Sequence, residues 1–202
     1  MKPYHHGNLR SALIEAGVSL ARTQGTEGVV LRQVARETGV SHNAAYRHFA
    51  DRDELLSEIG SVAAARLAEA MRRRMDLVDE QDPMDAARRR LREVGRAYVE
   101  FALAEPGLFE VAFGGDHPPD EAGPEQAGPY HLLGRALDGL VEVGAITPGR
   151  RAGADVACWA AVHGFAVLHL TGPLRDLSEE VREATLEVLL TTIERGLTGS
   201  AT

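Results

Sequence analysis

Apolar residues recur along most of this chain at intervals of three and four, the period of amphipathic helices, and glycine, proline and short polar clusters punctuate them. Leu9, Leu13, Ala16, Leu20 and Ala21 predict a first helix that Gly25 ends. Leu31, Val34 and Ala35 predict a second, from Leu31 to Thr38, and Ser41 caps a third, from His42 to about Phe49. Asp51 and Glu54 form a capping-box pattern for a long fourth helix, whose stripe Leu55, Leu56, Ile59, Val62, Ala63 and Leu67 continues to about Leu77. Asp82-Pro83 opens a fifth through Leu91, Val94, Ala97, Tyr98, Phe101 and Ala102, and a short apolar helix spans Leu108 to Phe113. After the acidic, Gly/Pro-rich stretch 114–128 come three more: Pro129 to Val143, Thr147-Pro148 to about Thr171, and one capped by Ser178. No alternating strand pattern intervenes, so the fold class is all-α.

The spacing within Leu31–Arg52 is specific. Ala35, Gly39 and Ala45 stand in the fifth, ninth and fifteenth places of that stretch. A small residue for a close crossing, a glycine for the sharp turn and an apolar anchor for the second helix describe a helix-turn-helix. Its second helix carries His42, Asn43, Tyr46, Arg47 and His48 outward, donors and aromatics suited to a DNA groove. The stretch VSHNAAYRHFADRDELL resembles the tetracycline-repressor-type (TetR/AcrR) regulators, and the likeness is close from about Leu9 to Leu56. YVEFALAEPGLFEVAFG and the Trp159, His163, Gly164 set in CWAAVHGFAVLHL resemble one branch of that family.

The resemblance implies a dimeric, ligand-responsive transcription factor. A three-helix helix-turn-helix DNA-binding domain at 1–56 would be joined to a helical ligand-binding and dimerisation domain at 57–202. The expected partners are a double-stranded, pseudo-palindromic DNA operator, a small-molecule effector that releases it, and a second copy of the chain. Asn43 suits an adenine edge, His42 and Arg47 guanine edges or phosphates, and Ala44 a thymine methyl. Tyr46, His48 and Arg52 are expected to position the backbone, with Arg32 and Ser41 at the same surface. Relatives usually carry Ser or Thr where Val30 stands; Val30 cannot cap the second helix, and Arg32 is the candidate substitute. Tyr98, Phe101, Phe109, Phe113, Leu133, Leu137, Trp159 and His163 are the candidate lining of a pocket. The bland reading makes Gly164 a close-crossing point and His163 the partner of a buried carbonyl.

Charge at first opposes a nucleic-acid partner, because the chain of 202 residues carries −8. Up to Gly60, however, seven basic residues (Lys2, Arg10, Arg22, Arg32, Arg36, Arg47, Arg52) balance seven acidic ones, so the acidity belongs to the rest. Arg72, Arg73 and Arg74 read as a solvated face. Cys158 is the only cysteine; a reducing, cytoplasmic setting fits, and its apolar helix suits an inert thiol. The apolar run 154–174 is broken by Asp155, His163, His169 and Pro173, which disfavours a membrane span. His163 and His169 are badly spaced for a shared metal, and no metal or other cofactor is expected. No phosphate loop, nucleophile elbow or paired carboxylates suggest an enzyme. The remaining alternative is a helical dimer without sequence-specific DNA binding, which would not need His42, Asn43, Tyr46 and His48 exposed together.

Overall fold

The computed structural model describes residues 6–114 and 128–199, with side chains from Leu9 onward. The acidic stretch 114–128 therefore falls almost wholly outside the described residues. Those residues form ten helices and no strand. They are α1 (His6–Gly28), α2 (Leu31–Glu37), α3 (His42–Tyr46), α4 (Arg52–Asp76), α5 (Pro83–Ala104), α6 (Pro106–Phe113), α7 (Pro129–Glu142), α8 (Pro148–Arg151), α9 (Ala154–Leu170) and α10 (Glu179–Thr198).

Caps set most of these boundaries. Ser41, Thr147 and Ser178 accept from the backbone N–H groups of Ala44, Arg150 and Val181, and Asp82 Oδ1 accepts from Met84 and Asp85 at 2.9 and 3.0 Å. The Glu54 N–H donates to Asp51 at 2.9 Å, while the Glu54 carboxylate accepts from Ala50 N–H at 2.6 Å, one residue earlier than in the usual box. At the end of α2, Val40 N–H donates to Ala35 O and Gly39 N–H to Arg36 O, the paired bonds of a Schellman turn. That turn needs a left-handed residue, and Gly39 supplies it at φ 69°.

Three boundaries differ from the periodicity. The first helix continues past Gly25, which kinks it at φ 68°, to Gly28. The recognition helix stops at Tyr46 rather than near Phe49, because Arg47 and His48 form a tightened turn in which His48 and Phe49 N–H both donate to Ala45 O. The helix expected from Thr147 to Thr171 is two, α8 and α9, separated by Gly153 at φ 75°.

The helices pack as two compact units. One takes the chain up to Ala64 together with α6 and its flanks, and the other takes Ala65–Ala104 and the described chain from Gly128 on. In the first, Leu13, Val34, Ala45, Phe49, Leu55 and Ile59 are fully or almost fully buried. Here α6 packs on α1: a methyl at Gly107 would stand 1.9 Å from Ala21 O, so only glycine permits the approach. Arg22 binds the Glu105 carboxylate and Thr26 N–H meets Glu110, which fasten α6 at its start and middle. In the second unit α5 is central, packing against α7, α9 and α10 around Tyr98, Val99, Leu132, Leu137 and Leu140.

Candidate functional site

In the first unit Ala45 is fully buried, and this anchors α3 on α2. Ser41, His42, Asn43, Tyr46 and Arg47 are then exposed, with Ala44 and His48 half-buried. The His42 and Tyr46 rings, four residues apart on one helix, meet edge to face at 4.5 Å and stiffen that face. Ser41 keeps its hydroxyl on the Ala44 N–H, 3.3 Å away, so it shapes the surface by fixing the helix start. Arg32 is exposed on α2, and Val30 caps nothing with its side chain, as its chemistry dictates, while remaining 45% exposed.

Arg52 stands differently from the other candidates. Its Nε donates to Val29 O at 2.8 Å and its Nη2 to Thr26 O at 2.6 Å. The guanidinium thus ties the start of α4 to the α1–α2 connection and completes the carbonyl partners there. In the same unit Arg10 lies 5.0 Å over the Phe49 ring and binds Glu58 at 2.9 Å. That pair holds the Glu58 carboxyl below its ordinary value through the Arg10 hydrogen bond.

The second unit contains a cavity with about 410 Å³ of empty space, its mouth included. Among the pocket candidates, Tyr98, Leu133 and Trp159 line it. His163 stands one step behind, with Nδ1 2.9 Å from the Tyr98 hydroxyl, a phenol in place of the expected carbonyl. Burial raises the Tyr98 phenol and lowers the His163 imidazole, so both are neutral and the hydroxyl can donate to the ring nitrogen. Phe101 and the buried Leu137 are not in the lining, and Phe109 and Phe113 belong to the first unit, where their rings pack at 5.2 Å.

Several lining residues had no signal of their own in the sequence. Leu91, Val94 and Gly95 come from α5, Val162 and Cys158 from α9, Leu190 and Ile193 from α10, and Met71 from the second half of α4. Gly95 in mid-helix was the available hint, since a methyl there would stand 2.7 Å from Leu190 Cδ2. The Cys158 thiol is buried and pushed up to about 11 by that burial, which fits inert packing. Arg74 is no solvated side chain: it binds Glu93 at 2.7 Å and Glu100 at 2.6 Å, joining α4 to α5. Gly164 does not mark a crossing within the chain, because a methyl there would meet nothing within 4 Å.

Residues 13–59 match the bacterial regulatory proteins of the tetR family, and residues 91–193 match the tetracyclin repressor-like C-terminal domain. The chain belongs to the TetR family. The first match takes in the helix-turn-helix of α2 and α3, and the two together support a DNA-binding regulator. A protein of unknown function from Rhodococcus sp. RHA1 has a solved structure 32% identical to it, covering 98% of this chain and 100% of its own, with a TM-score of 0.78. A TetR variant from Acinetobacter baumannii AYE, solved in complex with minocycline, shares the fold at 22% identity, a TM-score of 0.66 and 96% coverage of both chains. An uncharacterized HTH-type transcriptional regulator of Haemophilus influenzae is 37% identical over 71 residues, 35% of each chain. The chain spans 35% and 52% of the length of the curated relatives it matches. No helix among the described residues is long and apolar enough to cross a membrane.

Proposed function

We propose that this TetR-family regulator is a homodimeric repressor that binds a pseudo-palindromic operator and leaves it when a small molecule occupies the cavity of the second unit. The observation that carries the reading is the exposure of His42, Asn43, Tyr46 and Arg47 on a short helix whose buried Ala45 and capped start fix its aim. Asn43 reads an adenine edge, His42 and Arg47 read guanine or hold phosphate, and the Ala44 methyl meets thymine. Tyr46, His48 and Arg32 position the sugar-phosphate backbone. Arg52 contributes through the scaffold it ties together.

Dimerisation is supported by a face that α9 and α10 leave open. On α9, Val156 is 62% and Leu168 42% exposed, with the uncovered Gly164 between them; on α10, Val181 is 44% and Val188 65% exposed. Two copies burying these faces form a four-helix bundle, and the two-fold axis sets the half-sites on one side of the duplex. The switch runs through α4. That helix is continuous from Arg52 to Asp76, and its Met71 lines the cavity. A ligand releases DNA only if it binds one head separation better than the other. The A. baumannii neighbour's complex with minocycline is a precedent for a small molecule on this fold.

Fluorescence anisotropy on a selected operator tests the reading. Tight, salt-dependent binding at two chains per half-site pair is expected, and equal affinity for operator and scrambled DNA would reject it.

A further inference from the structure

We propose that the cavity takes a neutral, apolar, ring-bearing molecule and rejects organic anions and cations. This rests on the ligand-responsive reading above and adds to it the chemical class of the ligand.

The wall is aliphatic on most sides, from Leu91, Val94, Leu133, Val162, Leu190 and Ile193. Trp159 supplies an aromatic wall, set edge to face against Tyr98 at 5.0 Å and 65°. Such a ring pair offers both a face and an edge to a guest ring. Besides the Trp159 indole, three polar side chains stand at the wall, and each is already committed. The Tyr98 hydroxyl meets His163 Nδ1 at 2.9 Å. Arg92 hydrogen-bonds Glu187 and lies 3.9 Å from Glu194, so its charge is answered twice from α10. The Cys158 thiol is held protonated by its burial.

A carboxylate entering the cavity would have to draw Arg92 from Glu187 while facing two carboxylates of its own sign. An ammonium would lose its water against an aliphatic wall, and the Glu187 and Glu194 carboxylates nearby are already held by Arg92, Arg96 and Arg88. A neutral ring loses little and gains apolar contact.

The chain has one tryptophan, Trp159 on the wall itself, so its emission reads occupancy directly. Full-length protein without DNA is titrated with propylbenzene, 3-phenylpropanoate and 3-phenylpropylammonium, three molecules of nearly equal shape. Propylbenzene should saturate the Trp159 signal at least tenfold more tightly than either ion. Val162→Phe should abolish that binding and the volume-neutral Leu137→Met, at a buried position outside the lining, should keep it, each variant being checked for an unchanged thermal transition. Glu187→Gln with Glu194→Gln, which frees Arg92, should strengthen 3-phenylpropanoate several-fold and leave propylbenzene unchanged. Equal or tighter binding of either ion to the unaltered protein, or no saturable binding of propylbenzene, would overturn the proposal. Operator release is measured in a separate arm, so propylbenzene binding without release counts against the switch and for the ligand class.

Discussion

Arg52 separates two jobs that a basic residue beside a DNA-reading helix can have. With Nε on Val29 O and Nη2 on Thr26 O, its loss takes the side-chain donor from both carbonyls and leaves Thr26 O only the Val29 N–H. Arg52→Ala should therefore destabilise the protein by on the order of 2 kcal/mol in urea denaturation, with the salt slope of DNA binding unchanged. A lowered slope at unaltered stability would return Arg52 to the phosphate. Gly107→Ala should cost about 1–3 kcal/mol in the same assay, because the added methyl meets Ala21 O; no loss would mean that α6 can shift on α1 freely. Burial lowers the His163 and His169 imidazoles from the usual 6.5, with Arg182 adding to the effect at His169. Above 6.5 native and unfolded chains are both neutral at these sites and the stability is full. As pH falls through 6.5 toward the depressed native values, the unfolded chain takes up protons that the native one resists, and stability is lost. A melting series from pH 7.5 to 5.5 should show that decline, less steeply in His163→Gln; a rise on acidification would contradict the sign. At this scale the caps Ser41, Asp82 and Ser178 were legible because their partners lie two or three residues away. The partners of Arg52, Arg74 and His163 were not, since they lie 19 to 65 positions off and only packing brings them near.

The helix α3 concentrates the specificity argument in five residues, His42–Tyr46. Asn43→Ala should weaken operator binding by about 1–3 kcal/mol and random-DNA binding far less, by competition anisotropy; equal losses would make Asn43 a positioning contact. Element order could be read from the period of three and four because each helix buries a stripe. Two element errors have plain causes. Arg47 and His48 leave the helix because both following amides converge on Ala45 O, a backbone choice that side-chain periodicity does not encode. Gly153 breaks the eighth helix from the ninth through a positive φ, whereas other glycines inside helices, such as Gly95, keep helical geometry. The cavity was half legible for a related reason. The aromatic candidates stand on α5, α6 and α9, but a wall is assembled by helix crossing, and Met71, Val162 and Leu190 look in sequence like any other core residue.

Across the whole chain, charge and exposed apolar surface point to how the regulator assembles. The −8 lies outside the first 60 residues, so the DNA-reading end is neutral and the remainder repels phosphate. Such a molecule should discriminate strongly by sequence and bind random DNA weakly. Val188→Glu with Val156→Asp places charges on the open face of α10 and α9 and should raise the dimer dissociation constant at least tenfold, about 1.4 kcal/mol, in sedimentation equilibrium. An unchanged dimer would move the interface elsewhere. The most direct test of the account is selection of bound genomic fragments by the purified protein at physiological salt, followed by footprinting of the most enriched one. The account predicts two protected half-sites related by a two-fold axis on one side of the duplex, lost in Asn43→Ala. Folded, dimeric protein that enriches no sequence would contradict it.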